Sequence, residues 1–208
     1  RQAAGDRAKK KGPVKVEENP LAGKTMEALV LLEADRYEMQ EVPVPGVEPA
    51  EVLCRVGGVA ICGTDLGIIS GRFFPMWPPE WPFIIGHEWA GTVEAVGEGA
   101  GGLAPGDKVA GSSAVGCGHC RNCMTGRYNL CLNYGNMASG HRQYGMTAPG
   151  AYAQYIAVNA RSVMKLPADF DLAEASLMDT GGIGLHIAKR GGISAGHTVV
   201  VIGPGSIG

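Results

Sequence analysis

Four of the six cysteines crowd into residues 116–131, "GCGHCRNCMTGRYNLC". Cys117, Cys120, Cys123 and Cys131 follow the spacing C-x2-C-x2-C-x7-C. Four thiolates on a short loop can surround one Zn2+ tetrahedrally and leave no open position. Such a knot replaces the hydrophobic core that a short glycine-rich segment cannot build. Structural zinc in small peptides contributes roughly 10–16 kcal/mol of apparent binding free energy, so the loop is expected to need its metal for order. An iron–sulfur cluster also uses four cysteines, and a redox dithiol is a further alternative. His119 lies inside the cluster, but four thiolates fill the shell and it reads as a surface residue.

No secretory signal precedes this loop: the start, "RQAAGDRAKKKG", is basic and has no apolar segment behind it. A cytoplasmic, reducing compartment is therefore expected, where thiols serve as ligands or core residues more often than as disulfides. Cys54 sits inside a strand pattern and reads as core. The formal net charge of -2 argues against nucleic acid or an anionic membrane as the main partner. No apolar run approaches the roughly 18 residues of a membrane span.

The remainder divides by texture. Residues 1–24 are polar and basic and read as a flexible tail. From residue 25, short strand patterns with Gly/Pro punctuation follow: "MEALVLLE", "EVLCRVGGVAIC" ending at Cys62, "WAGTVEAVG", "DKVA", "AYAQYIAV" and "SVMKLP". They predict a mostly antiparallel β domain, barrel-like or sandwich-like. "DLAEASLMDTGGIGLHIAKRGG" then has the composition of one or two helices, broken by glycines around 181–184, with Asp171 as cap and Glu174 as its capping-box partner. Val199–Ile202 reads as a buried parallel strand running into Gly203, Gly205 and Gly208. A G-x-G-x-x-G after such a strand favours a dinucleotide: the glycines give the tight turn, the approach to the pyrophosphate and the helix packing. The fold class is α/β overall, with residues 179–208 as the start of a Rossmann domain whose remainder is missing. The residue that selects NAD or NADP lies about 20 residues beyond the glycines. NAD is favoured.

A second, open metal site is readable in Cys62 of "ICGTD", His87 and Glu88 of "IIGHEWAG", and Asp179 of "LMDTGG". A catalytic zinc takes about three protein ligands and keeps one position for water or substrate. A core thiol, a turn histidine and a helix cap are the alternatives for Cys62, His87 and Asp179. "GRFFPMWPPEWPF" carries Phe73, Phe74, Trp77 and Trp81, which fit a pocket wall, an oligomer contact or core packing equally well.

In order, "CGTD", "GHEWAGTVEAVGEG", "PGDKVA", the four-cysteine loop and the strand with its glycines resemble the zinc-dependent medium-chain alcohol dehydrogenase family. The resemblance covers about residues 26–208. "DTGGIGLHIAKRGGISAGHTVVVIGPGSIG" is similar to the sorbitol and polyol branch, which often carries an acidic residue where Asp179 stands. Liver-type members usually have Cys there, a point of departure. The resemblance implies a GroES-like β-barrel catalytic domain over residues 25–178, with both metal sites, then the Rossmann domain. It implies one catalytic and one structural Zn2+, NAD or NADP, a small alcohol or polyol substrate and a homodimer or homotetramer. Cys62 and His87 would hold the catalytic zinc with Asp179 as favoured third ligand and Glu88 as alternate. Thr64 would hydrogen-bond the substrate oxygen and relay its proton, and Asp65 would fix the His87 tautomer. An amino-alcohol substrate such as threonine, or a zinc-stabilised relative without catalysis, are the rival expectations.

Overall fold

The computed structural model describes residues 20–203 and 205–208. Most of the expected tail, residues 1–19, lies outside them. Residues 20–23 make a turn, and the Lys24 carbonyl accepts a hydrogen bond from Val44 N–H at 2.9 Å.

The described residues form three antiparallel sheets. Strands β1 (Thr25–Glu33), β2 (Arg36–Pro43) and β4 (Phe83–Ile84) form one sheet, in the order β2-β1-β4. The second sheet has five strands: β3 (Glu51–Ala60), β5 (Glu88–Val96), β6 (Lys108–Gly111), β9 (Tyr155–Asn159) and β10 (Val163–Lys165), in the order β10-β6-β5-β3-β9. β7 (Ala114–Val115) and β8 (Arg142–Gln143) make a small third. A bridge between Ala28 and Ala153 stitches the first sheet to the segment leading into β9. The expected antiparallel β domain is thus present. β2 was not expected, because an edge strand exposed along most of its length shows no apolar alternation.

The period of two sorts the side chains. On β3, Val52 and Cys54 join a buried cluster with Trp89, Val93, Val109, Ile156 and Val158, while Leu53 joins Met26, Val44 and Ala95. Both faces of this strand are therefore covered. Fully burying one Val or Leu side chain contributes roughly 1.5–3 kcal/mol, so these clusters fix the register.

That register builds the open site. Ala60, the last residue of β3, pairs with Glu88, the first of β5. The chain leaving β3 and the chain entering β5 therefore meet, and Cys62 comes beside His87 and Glu88. The expected strand to Cys62 stops at Ala60, and Cys62 instead caps helix α1 (Gly63–Ile69). The reason is local: Asp65 takes the Cys62 N–H at 2.8 Å and its own N–H bonds the Cys62 carbonyl at 3.0 Å, which turns the chain.

After the short helices α2 (Arg121–Met124) and α3 (Leu172–Ala175), helix α4 spans Met178–Arg190. Asp171 caps α3, its carboxylate accepting from Ala173 and Glu174 N–H. The glycines at 181, 182 and 184 do not break α4, correcting the expected interruption. Each costs only about 1 kcal/mol relative to Ala, less than it takes to end a helix already started. The expected strand at Val199–Ile202 does not form: Val200 is 83% and Ile202 95% exposed. A parallel strand takes its hydrogen bonds from neighbours, and no described strand pairs with it.

Candidate metal centres

The four-cysteine loop closes on itself. Cys117 follows β7, Cys120 caps α2, Cys123 lies within α2, and Cys131 ends a turn at Tyr128–Leu130. All four are free thiols. The Sγ atoms of Cys117 and Cys123 are 3.9 Å apart, and those of Cys120 and Cys131 are 4.0 Å apart. Sulfurs held about 2.3 Å from one tetrahedral ion would stand about 3.8 Å apart, so the spacing fits zinc. Backbone N–H groups of Cys120, Cys123 and Cys117 point at the sulfurs of Cys117, Cys120 and Cys131, and Asn133 Nδ2 at Cys117. Desolvation opposes ionisation of Cys117, but the His119 and Cys120 N–H groups and Asn133 bring it down to about 5. Cys123 is drawn down by the Gly118 N–H, yet desolvation and the neighbouring thiols push it up to about 12. Four thiolates need a cation between them, which is the condition a closed metal site meets. His119 stands outside the set, its Nδ1 3.1 Å from the Cys117 carbonyl.

The second cluster gathers Cys62, His87 and Glu88, one ligand atom from each lying within 4.8 Å of the others. His87 and Glu88 are buried and Cys62 is half-buried. Behind them Asp65, 1% exposed, faces His87 with Oδ1 3.3 Å from Nδ1. Neither atom has a hydrogen bond of good geometry among the described residues, so this 3.3 Å approach is the polar contact each of them has. The pair leaves the Nε2 nitrogen of His87 as the one free to ligate. Burial alone would lower the His87 pKa, but the Asp65 hydrogen bond and charge, with Cys62 adding, raise it to about 9. Burial would likewise raise Asp65, and His87, the Cys62 N–H and the Tyr152 hydroxyl outweigh it and hold it below the usual range. A thiol, an imidazole and a carboxylate in one largely buried cluster make a donor set that suits zinc.

Asp179 lies in the first turn of α4, outside this three-residue set. Burial and then the charge of Glu88 raise its pKa, partly offset by His87. The carboxylate is thus within electrostatic reach of both residues. Its neighbour Thr180 donates a hydroxyl hydrogen bond to Glu88 Oε1 at 3.0 Å. Thr64 sits half-buried on α1, one residue before Asp65. Gly203, Gly205 and Gly208 lie in the irregular segment after α4, with Gly203 at φ +81. Of the aromatic stretch, Phe73, Trp77 and Trp81 pack against Leu31, Ile68, Phe83 and Ile85, and Phe74 stacks on Trp81 at 5.2 Å.

Two residues went unread in the sequence. Thr180 reads as part of a helix start. Tyr152 reads as one more strand aromatic, although a buried Tyr hydroxyl usually has a polar partner.

Residues 48–168 match the family model of the alcohol dehydrogenase GroES-like domain. The sorbitol dehydrogenase of Bacillus subtilis (strain 168) is 35% identical over 185 residues, covering 88% of this chain and 50% of the relative. The L-threonine 3-dehydrogenase of Aeromonas salmonicida (strain A449) is 35% identical over 184 residues, covering 88% and 52%. Among solved structures, galactitol-1-phosphate dehydrogenase from Escherichia coli superposes with a TM-score of 0.77 at 27% identity, covering 88% of this chain and 50% of that one. The chain spans about half the length of the curated relatives it matches. Ordered strands, the paired metal-ligand clusters and these matches agree: the chain belongs to the zinc-dependent medium-chain alcohol dehydrogenase family and carries its GroES-like domain.

Proposed function

We propose that this chain is the metal-bearing part of an oxidoreductase that moves a hydride between an alcohol or polyol and NAD or NADP, with NAD favoured. The observation that carries this reading is the three-residue Cys62–His87–Glu88 cluster, largely buried, together with a separate set of four cysteines. Cys62, His87 and Glu88 would hold one zinc and Cys117, Cys120, Cys123 and Cys131 another. Glu88 is our choice for the third donor, because Asp179 stands outside the set. When bound, zinc at the open site supplies Lewis acidity toward the substrate oxygen, and the nicotinamide supplies the hydride acceptor.

The chain's own residues do the rest. Asp65 orients the His87 ring, and Thr180 orients the Glu88 carboxylate. Thr64 hydrogen-bonds the substrate hydroxyl and passes its proton outward. Gly203, Gly205 and Gly208 would let a pyrophosphate approach the backbone. The catalytic domain would end near residue 178 and the dinucleotide domain begin at 179, in a homodimer or homotetramer acting in the cytoplasm.

A second reading takes an amino alcohol as substrate. It is favoured by the threonine dehydrogenase similarity, equal in identity to that with the sorbitol enzyme. The full-length protein, assayed with polyols, secondary alcohols and L-threonine against NAD and NADP, separates the two. Turnover of polyols or secondary alcohols supports the first reading, and threonine alone supports the second. No nicotinamide reduction with any of them would leave a non-catalytic relative.

A further inference from the structure

We propose that Tyr152 is a positioning residue for the open metal site, acting through Asp65 on His87. The inference rests on reading Cys62, His87 and Glu88 as metal ligands. Its basis is a hydrogen bond that crosses the fold: the Tyr152 hydroxyl donates to Asp65 Oδ2 at 2.8 Å. The same oxygen accepts the Cys62 N–H at 2.8 Å. Asp65 as a carboxylate can only accept; both donors lie on Oδ2, and Oδ1 is left facing His87 Nδ1 at 3.3 Å. With only the Cys62 N–H on Oδ2, the plane of the carboxylate would be held less firmly against His87. A second donor from a distant segment fixes its plane, and with it the imidazole.

Tyr152 is built to hold that place. Its N–H bonds the Ile85 carbonyl at 2.9 Å, and its own carbonyl accepts Leu29 N–H at 2.7 Å. Its ring lies against Gly86, where an added Cβ would come within 2.5 Å of the ring, and Gly86 has φ +98. Only glycine meets both conditions easily. Tyr152 thus joins four pieces: strand β1, the start of α1, the segment just before His87, and the segment entering β9. A Phe at this position would fill the same space and lack only the hydroxyl. Loss of an outer partner of a metal-bound histidine typically costs 10–100-fold in metal affinity or activity.

The test uses the full chain loaded with zinc and mixed with a colorimetric chelator. The Cys62→Ser variant identifies which release phase belongs to the open site. In Tyr152→Phe that phase should quicken by about tenfold, while release from the four cysteines and the melting temperature stay as in the parent. In an Asp65→Ala background, Tyr152→Phe should change nothing further, since the carboxylate it acts through is gone. Unchanged release in Tyr152→Phe would overturn the proposal. So would an acceleration that persists without Asp65, or one shared equally by both phases, because either would mean general packing. If the parent chain shows no open-site phase at all, the metal reading fails first and this proposal with it.

Discussion

Two carboxylates compete at the open site, and a mutation at each should cost differently. Glu88 shares the ligand set with Cys62 and His87, whereas Asp179 touches it through charge alone. We predict that Glu88→Ala weakens open-site zinc binding by on the order of 100-fold, and Asp179→Ala by about tenfold or less. Zinc retained after dialysis reads this directly; the reverse order would make Asp179 the ligand. The family resemblance ranked Asp179 first, and the fold reverses that preference: Glu88 joins the ligand set, and its contact with Thr180, 92 residues away, exists only once folding brings α4 to β5. Cys54 was legible. It is buried, and burial, then the Glu94 charge, push its thiol up to about 12. Native protein treated with iodoacetamide at neutral pH should leave Cys54 unmodified while Cys62 reacts once metal is stripped. Modification of Cys54 in the folded chain would contradict its place in the core.

Elements show where local pattern suffices and where it fails. β3 and β5 were readable because both are Val-rich runs bounded by turn residues, and β5 also alternates over its second half. α1 was not: seven residues with two glycines carry too little signal, and its cap depends on the carboxylate of Asp65. β6 ends against a large side chain. A Cβ on Gly111 would lie 2.2 Å from the Trp89 indole, so Gly111→Ala should destabilise the domain by roughly 1–3 kcal/mol. Thermal or urea unfolding measures it, and an unchanged midpoint would show that the indole has room to move. The four-cysteine lobe also reaches beyond itself. Tyr134, three residues past Cys131, accepts a hydrogen bond from Trp77 Nε1 at 2.8 Å. Stripping the lobe's metal should therefore red-shift tryptophan emission, and Tyr134→Phe should reduce that shift. An emission spectrum blind to chelation would separate the lobe from the aromatic stretch.

At the scale of the whole molecule, sequence pattern anticipated the antiparallel β domain, and the fold gathers two separate sets of residues that could hold a metal. One cluster is closed by a local loop. The other is assembled by the Ala60–Glu88 register, which brings distant segments together. What failed was the strand at Val199–Ile202. Its apolar, β-branched residues suit a buried parallel strand, but such a strand depends on neighbours rather than on itself. Among the described residues it has none, and its side chains stand in solvent. The central claim, two different metal sites in one chain, is tested most directly by elemental analysis of protein dialysed against metal-free buffer. About two zinc ions per chain are predicted, with Cys62→Ser removing one and Cys117→Ser the other. A single zinc, lost only when the four-cysteine loop is mutated, would contradict the account, because the Cys62–His87–Glu88 cluster would then hold no metal.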